Sequence, residues 1–426
     1  MTMPRRDFLK AIGAAGIATS GLGGCATMGR DRVAGKVVVV GGGYGGATAA
    51  RYLQLWSGGA ADVTLVESNA AFVSCPLSNL VLGGSKQIGD VTMGYDALAK
   101  RVRFVRDTAT DVDAQKRIVK LAGGTALPYD RLILSPGVDF LYNLVPGLDN
   151  PDARARVLHA WKAGPQTVAL RRQLEAMPDG GVFAISIPRA PFRCPPGPYE
   201  RACQVAWYFK RAKPRSKVLI LDGNEDVVSK KALFMKAWSD EYQGIVEYRP
   251  NYVLTDVDVR TMTLKFETAD DVRADVLNVI PPQRAGRIAA QAGVITANDR
   301  WCEVDFLTFE SIKVSNVHVL GDAIQVAPLM PKSGHMANQH AKVAAAAVLA
   351  SLAGQPVNPA PVLNNTCYSF ITDREVVHVA SMHQYDREKR TLVTVPGSGG
   401  LSPAMNVLEG EYAFAWAKNI WADALA

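Results

Sequence analysis

The 426-residue chain has no run of apolar residues approaching the ~18–20 needed to span a bilayer, so no segment reads as a membrane helix. None of its six cysteines stands in CxxC or CxxCH spacing, which excludes a zinc knuckle and a c-type haem carried by this chain. The histidine pairs His335/His340 and His378/His383 are five apart instead of the four that puts both rings on one helical face, so no metal site is expected. Lysine and arginine form no stripe interleaved with aromatics. The formal charge is +7, of which Arg5, Arg6 and Lys10 against Asp7 hold +2 in a leader-like segment. A surplus that small makes no case for a nucleic acid and suits an acidic protein surface only weakly. Apolar residues at 48% and charged ones at 20% exclude a disordered chain and leave room for two or three domains.

What is present begins with Arg5-Arg6-Asp7-Phe8-Leu9-Lys10, followed by a mild glycine- and alanine-rich stretch to Gly24. This has the form of a twin-arginine signal, and residues 1–34 are set apart from the fold. Such a signal implies export of a folded protein to the periplasm. Leu22-Gly23-Gly24-Cys25 also has the form of a lipobox, so a lipid anchor on Cys25 and cleavage just beyond it are equal alternatives. The other five cysteines are Cys75, Cys194, Cys203, Cys302 and Cys367. In an oxidising compartment an odd set of thiols calls for more than structural bridges.

Lys36–Val40 is an unbroken β-branched run that feeds Gly41-Gly42-Gly43-Tyr44-Gly45-Gly46. Gly41 permits the tight turn, Gly43 lets a pyrophosphate approach the backbone, and Gly46 lets the next helix, expected over 47–55, pack on the strand. A second strand over 62–66 ends in Glu67, whose carboxylate suits ribose hydroxyls. Leu132-Ile133-Leu134-Ser135-Pro136-Gly137 and Val317-His318-Val319-Leu320-Gly321-Asp322-Ala323 resemble the two further FAD motifs of glutathione reductase-type enzymes. That resemblance assigns Gly137 and Gly321 to the cofactor turns and Asp322 to the ribityl chain. A helix over 334–353 would aim its N-terminus at the flavin pyrimidine.

Between these segments lies a second Rossmann-like unit, with strands over 181–187 and 217–221 and a helix over 199–210. Its first turn, residues 188–200, carries five prolines and Cys194 where a glycine fingerprint would stand. Such a turn cannot offer consecutive backbone N–H groups to a pyrophosphate. A nicotinamide site is therefore lost, and no CxxxxC follows the first strand to suggest a disulfide reductase. The expected architecture is α/β, with two Rossmann-like dinucleotide-binding-type domains and a C-terminal interface domain. FAD binds in 35–150 and 276–355, the second unit covers 151–275, and the last domain covers 356–426.

Four longer stretches are more specific: residues 192–201 (FRCPPGPYER), 278–287 (NVIPPQRAGR), Pro331-Lys332-Ser333-Gly334 and Asn365-Thr366-Cys367-Tyr368-Ser369. Together they make the chain from about Gly35 onward resemble the flavoprotein subunit of flavocytochrome c sulfide dehydrogenase. The resemblance implies oxidation of sulfide at a redox-active cysteine pair beside FAD, with electrons passed to a c-type cytochrome subunit. It assigns the pair to Cys194 and Cys367, places Lys332 at the cofactor, and makes Cys75 the residue that carries FAD covalently. The stretch around Cys75 departs from that family's pattern at Pro76, where a bulkier residue is usual.

The chemistry fits the residue types. Hydrosulfide can open a disulfide to a persulfide and a thiolate, and the thiolate can pass two electrons to a flavin. Glu200, at the start of a helix, is placed either to move protons near the pair or simply to favour the helix dipole. Cys194 and Cys367 both fall in loop-like, proline- or asparagine-rich segments, whereas Cys203 and Cys302 read as core thiols. Two alternatives remain open: a sulfide:quinone oxidoreductase-like enzyme, and a non-catalytic FAD-binding electron-transfer subunit.

Overall fold

The computed structural model describes residues 35–426, so the twin-arginine segment and Cys25 lie outside the described residues. Four consecutive valines leave Lys36–Val40 without a polar face, and such a strand is stable only with both faces covered. It sits inside a five-stranded parallel sheet ordered Val317–Val319, Arg131–Leu134, Lys36–Val40, Asp62–Glu67, Arg103–Arg106. Val39 aligns with Leu65 on one side and Ile133 on the other, and all three are fully buried. The chain adds strands on one side of Lys36–Val40 and then returns to the other. This makes a topological switch point at the carboxyl ends of Lys36–Val40 and Arg131–Leu134, where open α/β sheets bind ligands.

The second sheet repeats the plan with Val246–Arg249, Lys217–Asp222, Val182–Ile187 and Val276–Val279, all parallel. Its switch point lies between the last two, so the proline-rich turn after Ile187 opens into a crevice. Val276–Val279 is hydrogen-bonded to Val182–Ile187 and belongs to this sheet. The return to the first unit therefore falls after Val279, a few residues later than the sequence boundary of 276. Backbone pairing decides that boundary, and composition carries no mark of it.

The C-terminal unit is antiparallel, with Val362–Phe370 paired along its length to Val376–Asp386. The final helix, Val407–Leu425, packs on the first helix, Tyr44–Trp56, through its last turns, where Trp421 Nε1 donates to Tyr44 Oη at 3.0 Å, and its Ala413 and Ala417 enter a separate apolar cluster. The same apolar cluster contains Leu77, Leu80 and Phe370, so the segment that bears Cys75 is clamped to the C-terminal sheet. The α/β class and the two Rossmann-like units agree with the sequence reading.

Candidate functional site

A cleft of about 1050 Å³ runs along the first switch point, at the upper end of the ~300–1,000 Å³ usual for ligand sites. Gly41, Gly43, Glu67, Cys75, Gly137, Gly321 and Asp322 all line it. Gly41 has φ +99° and a Cβ there would lie 2.4 Å from the Ser135 carbonyl, so glycine is required. A Cβ on Gly43 would meet nothing within 4 Å, which leaves that face open to a close-lying group. Gly46 stands behind the cleft, where a Cβ would collide with the Gly41 carbonyl at 1.8 Å. The Tyr44–Trp56 helix has neither a side-chain cap nor an acidic residue in its first turn, so its leading N–H groups remain for an anion.

Glu67 is buried and accepts from the Gly42 N–H at 2.6 Å and the Asn69 N–H at 2.7 Å, which fixes its carboxylate at the cleft wall. Asp322 Oδ1 is buried without a protein partner. Burial raises its pKa, against the pull of Arg193 and Lys332. A buried acceptor facing a cleft calls for a donor such as a ligand hydroxyl. These features fit an FAD pyrophosphate, ribose and ribityl chain.

The second switch point does not fit a nicotinamide dinucleotide. Asp222, at the strand end where a ribose would be held, accepts from Tyr199 Oη at 2.7 Å, Asn224 Nδ2 at 2.7 Å and Tyr248 Oη at 3.2 Å. Its lone pairs are used within the protein. What the turn supplies instead is Cys194, held at φ +55° with its N–H donating to the Lys332 carbonyl at 2.8 Å.

A second, smaller cavity of about 130 Å³ adjoins the cleft and shares Tyr44, Cys75, Arg193, Asp322 and Gly334 with it. Cys194, Cys367 and Glu200 line this cavity together, although Cys194 and Cys367 are far apart in sequence. Both cysteines are free thiols. Cys367 is not in a loop, contrary to the sequence reading, but within Val362–Phe370, opposite Val379. The period of two puts Asn365, Cys367 and Ser369 on one face. Of these Cys367 reaches the cavity, while Asn365 accepts from Ser333 Oγ and Ser369 from the Lys230 ammonium, and a strand whose inward residues are Asn, Cys and Ser reads as a loop.

Burial raises the Cys194 thiol, reinforced by Cys367 and Glu200 and opposed by Arg193. Burial raises Cys367 as well, but there Lys230 pulls down, helped by Asn365 and Ser333. Burial lifts Glu200 to about 7, although the Phe370 N–H, Lys230, Asn79 and Arg201 favour its charged form. At neutral pH this carboxyl is therefore poised to give or take a proton. Arg193 Nη2 donates to Cys75 Sγ at 2.7 Å, which ties the proline-rich turn to the cofactor cleft.

Lys332 lies beside the small cavity, but its ammonium turns away onto the Asp322 carbonyl at 2.9 Å and the Trp301 ring at 3.6 Å. Its main-chain carbonyl accepts from the Cys194 N–H at 2.8 Å. Cys203 and Cys302 are fully buried core residues. Sequence reasoning missed Lys230, a buried lysine whose exposed neighbour Lys231 looks the same in the chain. It also gave no role to Arg193, which stands in the quoted 192–201 stretch.

Three family profiles match the chain. Residues 167–281 match "Sulfide dehydrogenase [flavocytochrome c] flavoprotein chain, central". Residues 359–425 match "Flavocytochrome c sulphide dehydrogenase, flavin-binding", and 35–169 match "Pyridine nucleotide-disulphide oxidoreductase". A sulfide dehydrogenase [flavocytochrome c] flavoprotein chain from Chlorobaculum thiosulfatiphilum is 56% identical over 46 residues, which are 11% of this chain and 94% of that sequence. A mitochondrial sulfide:quinone oxidoreductase from Dictyostelium discoideum is 25% identical over 299 residues, 67% of this chain. The chain spans 65% of that relative's length, just under two thirds. Among solved structures, the sulfide:quinone oxidoreductase of Aquifex aeolicus superposes with a TM-score of 0.73 at 17% identity, covering 91% of each chain. At that identity the likeness is one of fold.

Proposed function

From the premise that this chain belongs to the flavocytochrome c sulfide dehydrogenase flavoprotein family, we propose that it oxidises sulfide at Cys194 and Cys367 and delivers the electrons through FAD to a c-type cytochrome. The observation that carries the reading is the small cavity where both thiols and Glu200 meet, against the cleft that fits the cofactor. Its volume of about 130 Å³ suits a hydrosulfide ion and not a large organic substrate.

In the oxidised state the pair forms a disulfide. Hydrosulfide attacks one sulfur, breaks the S–S bond, and leaves a persulfide on one cysteine and a thiolate on the other. Closing the disulfide again releases zero-valent sulfur, one proton and two electrons. Glu200, with its pKa near neutrality, takes the proton. Bound flavin supplies an acceptor that takes electrons in pairs and releases them singly. Around it the chain's own residues would act: Glu67 and Asp322 would hold hydroxyls, the Tyr44–Trp56 helix would meet the pyrophosphate, and Cys75, within the cleft, would carry the flavin through a thioether. The reading includes a twin-arginine route to the periplasm, with a lipid on Cys25 and cleavage beyond it as the two alternatives that labelling by a palmitate analogue separates.

Anaerobic sulfide should bleach the flavin absorbance of the wild type and, with cytochrome c present, reduce the haem. Cys194→Ser and Cys367→Ser should each keep FAD yet lose this reduction at least a hundredfold, while Cys203→Ser stays near wild type. Near-normal turnover in both single variants would overturn the proposed pair. The flavin should stay with the polypeptide on acid precipitation of the wild type and be released from Cys75→Ala. The likeness to sulfide:quinone oxidoreductases favours quinone as the second acceptor to test. Faster flavin reoxidation by a soluble quinone than by cytochrome c would select it.

A further inference from the structure

Lys230 violates three local expectations at once. It is 5% exposed, whereas lysine is almost never fully buried unless paired. Its φ is +55°, in the left-handed region that favours glycine or asparagine. It also occupies the N-cap of the Lys231–Asp240 helix without capping it, and there a cation opposes the helix dipole. The local chain gains nothing from lysine at this place, so its reason lies in tertiary contacts.

Those contacts point one way. The ammonium donates to the Cys367 carbonyl at 2.7 Å, to Ser369 Oγ at 2.8 Å and to the Val377 carbonyl at 3.2 Å. Three acceptors use all three of its donors, which fixes the charge in place. None of the three carries a charge and burial lowers the ammonium to about 8, so the cation keeps its proton at neutral pH only with the help of nearby anions. The ionisable groups that face it are Cys367, Glu200 on the Gly197–Ala212 helix, Cys194 on the proline-rich turn, and Glu409 on the Val407–Leu425 helix. Glu409 is already engaged by His378 and Ser402. Arg193, the cation that faces Cys194, is held by hydrogen bonds to Cys75 Sγ and the Trp161 carbonyl.

We propose that Lys230 is a positioning residue that holds negative charge on Cys367 in preference to Cys194 whenever the pair is open. This rests on the reading of Cys194 and Cys367 as a redox pair, and it makes that pair asymmetric. Hydrosulfide attacks Cys194. The S–S bond breaks, a Cys194 persulfide forms, and the electron pair of the broken bond stays on Cys367 as its thiolate. The competing role for Lys230 is a neutral one, a tie between the C-terminal strands and the second sheet.

Alkylation of the reduced, full-length holoprotein by iodoacetamide, mapped by peptide mass between pH 6 and 10, separates the two roles. In the wild type, Cys367 should be alkylated before Cys194. In Lys230→Met the Cys367 rate at pH 7 should fall about tenfold for each unit by which its pKa rises. Lys230→Arg should restore the wild-type profile, and the Cys194 profile should move less than that of Cys367. A Lys230→Met profile superimposed on the wild type overturns the proposal, and so does earlier alkylation of Cys194 in the wild type. Earlier alkylation of Cys194 needs no variant to be read, and if Lys230→Met does not fold, Lys230→Gln is scored in its place. Sulfide-driven bleaching of the flavin is scored separately. If that fails in the wild type the sulfide reading falls, while the alkylation order still judges Lys230.

Discussion

Glu200 is the residue whose chemistry depends most on where the fold puts it. In the chain it is one carboxylate in the first turn of a helix, the commonest place to find one. In the fold it is 8% exposed, with Oε1 accepting from the Phe370 N–H at 3.3 Å and Oε2 from Asn79 Nδ2 at 3.2 Å. Burial raises its pKa from 4.5 to about 7. Because the folded value lies above the unfolded one, its contribution to stability is whole below pH 4.5 and is lost as pH rises through 7. The loss is on the order of 3 kcal/mol. Glu200→Gln should therefore flatten the fall in Tm between pH 5 and pH 8. If Glu200 takes the proton of the sulfur species, flavin reduction at fixed hydrosulfide concentration should rise through about pH 7 in the wild type and stay flat in Glu200→Gln. Stopped-flow absorbance checks this, and an unchanged pH profile in the variant removes Glu200 from the mechanism. Cys194, Cys367 and Glu200 were legible as residues because they stand in long, specific stretches. Lys230 was not, since burial alone distinguishes it from Lys231 and no local pattern announces that burial.

Elements divide in the same way. Strands buried on both faces, such as Lys36–Val40 and Lys217–Asp222, announce themselves as apolar runs. Val362–Phe370 does not, because its site-facing residues are polar and its outer ones mixed. The glycine turn is legible because backbone geometry requires Gly41 and Gly46, and the close approach of a ligand group requires Gly43. Gly46→Ala would set a methyl group 1.8 Å from the Gly41 carbonyl, a backbone atom that cannot yield without moving the strand end from the helix. The variant should fold poorly or purify with at most about a tenth of the wild-type flavin. Flavin absorbance per polypeptide measures this, and full occupancy would show that the helix can shift on the strand. Gly43→Ala, with open space at its Cβ, should leave the fold intact and weaken flavin binding instead.

Across the whole molecule, the proposed function depends on joining distant segments. The first sheet positions the cofactor cleft, the second sheet delivers Cys194 at its own switch point, and the C-terminal sheet closes over both with Cys367. In the second unit the carboxylate of Asp222, at the strand end, is spent on Tyr199, Tyr248 and Asn224. The proposed route out of the cytoplasm belongs to this scale as well, since twin-arginine export carries a folded, cofactor-loaded protein. Changing Arg5 and Arg6 to Lys should leave flavin-loaded precursor in the cytoplasmic fraction, and unchanged periplasmic protein by cell fractionation would refute that route.

The sequence by itself determined what depends on neighbours along the chain. These are the glycine turn after Lys36–Val40, the buried strands, the replacement of a second glycine fingerprint by prolines and Cys194, and the long stretches that mark the family. Each is a local backbone requirement or a hydrophobic period, and such requirements are written in consecutive residues. Only the tertiary structure decided that Cys194, Cys367 and Glu200 share one cavity, that Val276–Val279 belongs to the second sheet, and that Lys230 is buried against Cys367. Burial, proximity and the fields they create are properties of segments far apart in sequence, and they come into being only when the chain closes on itself.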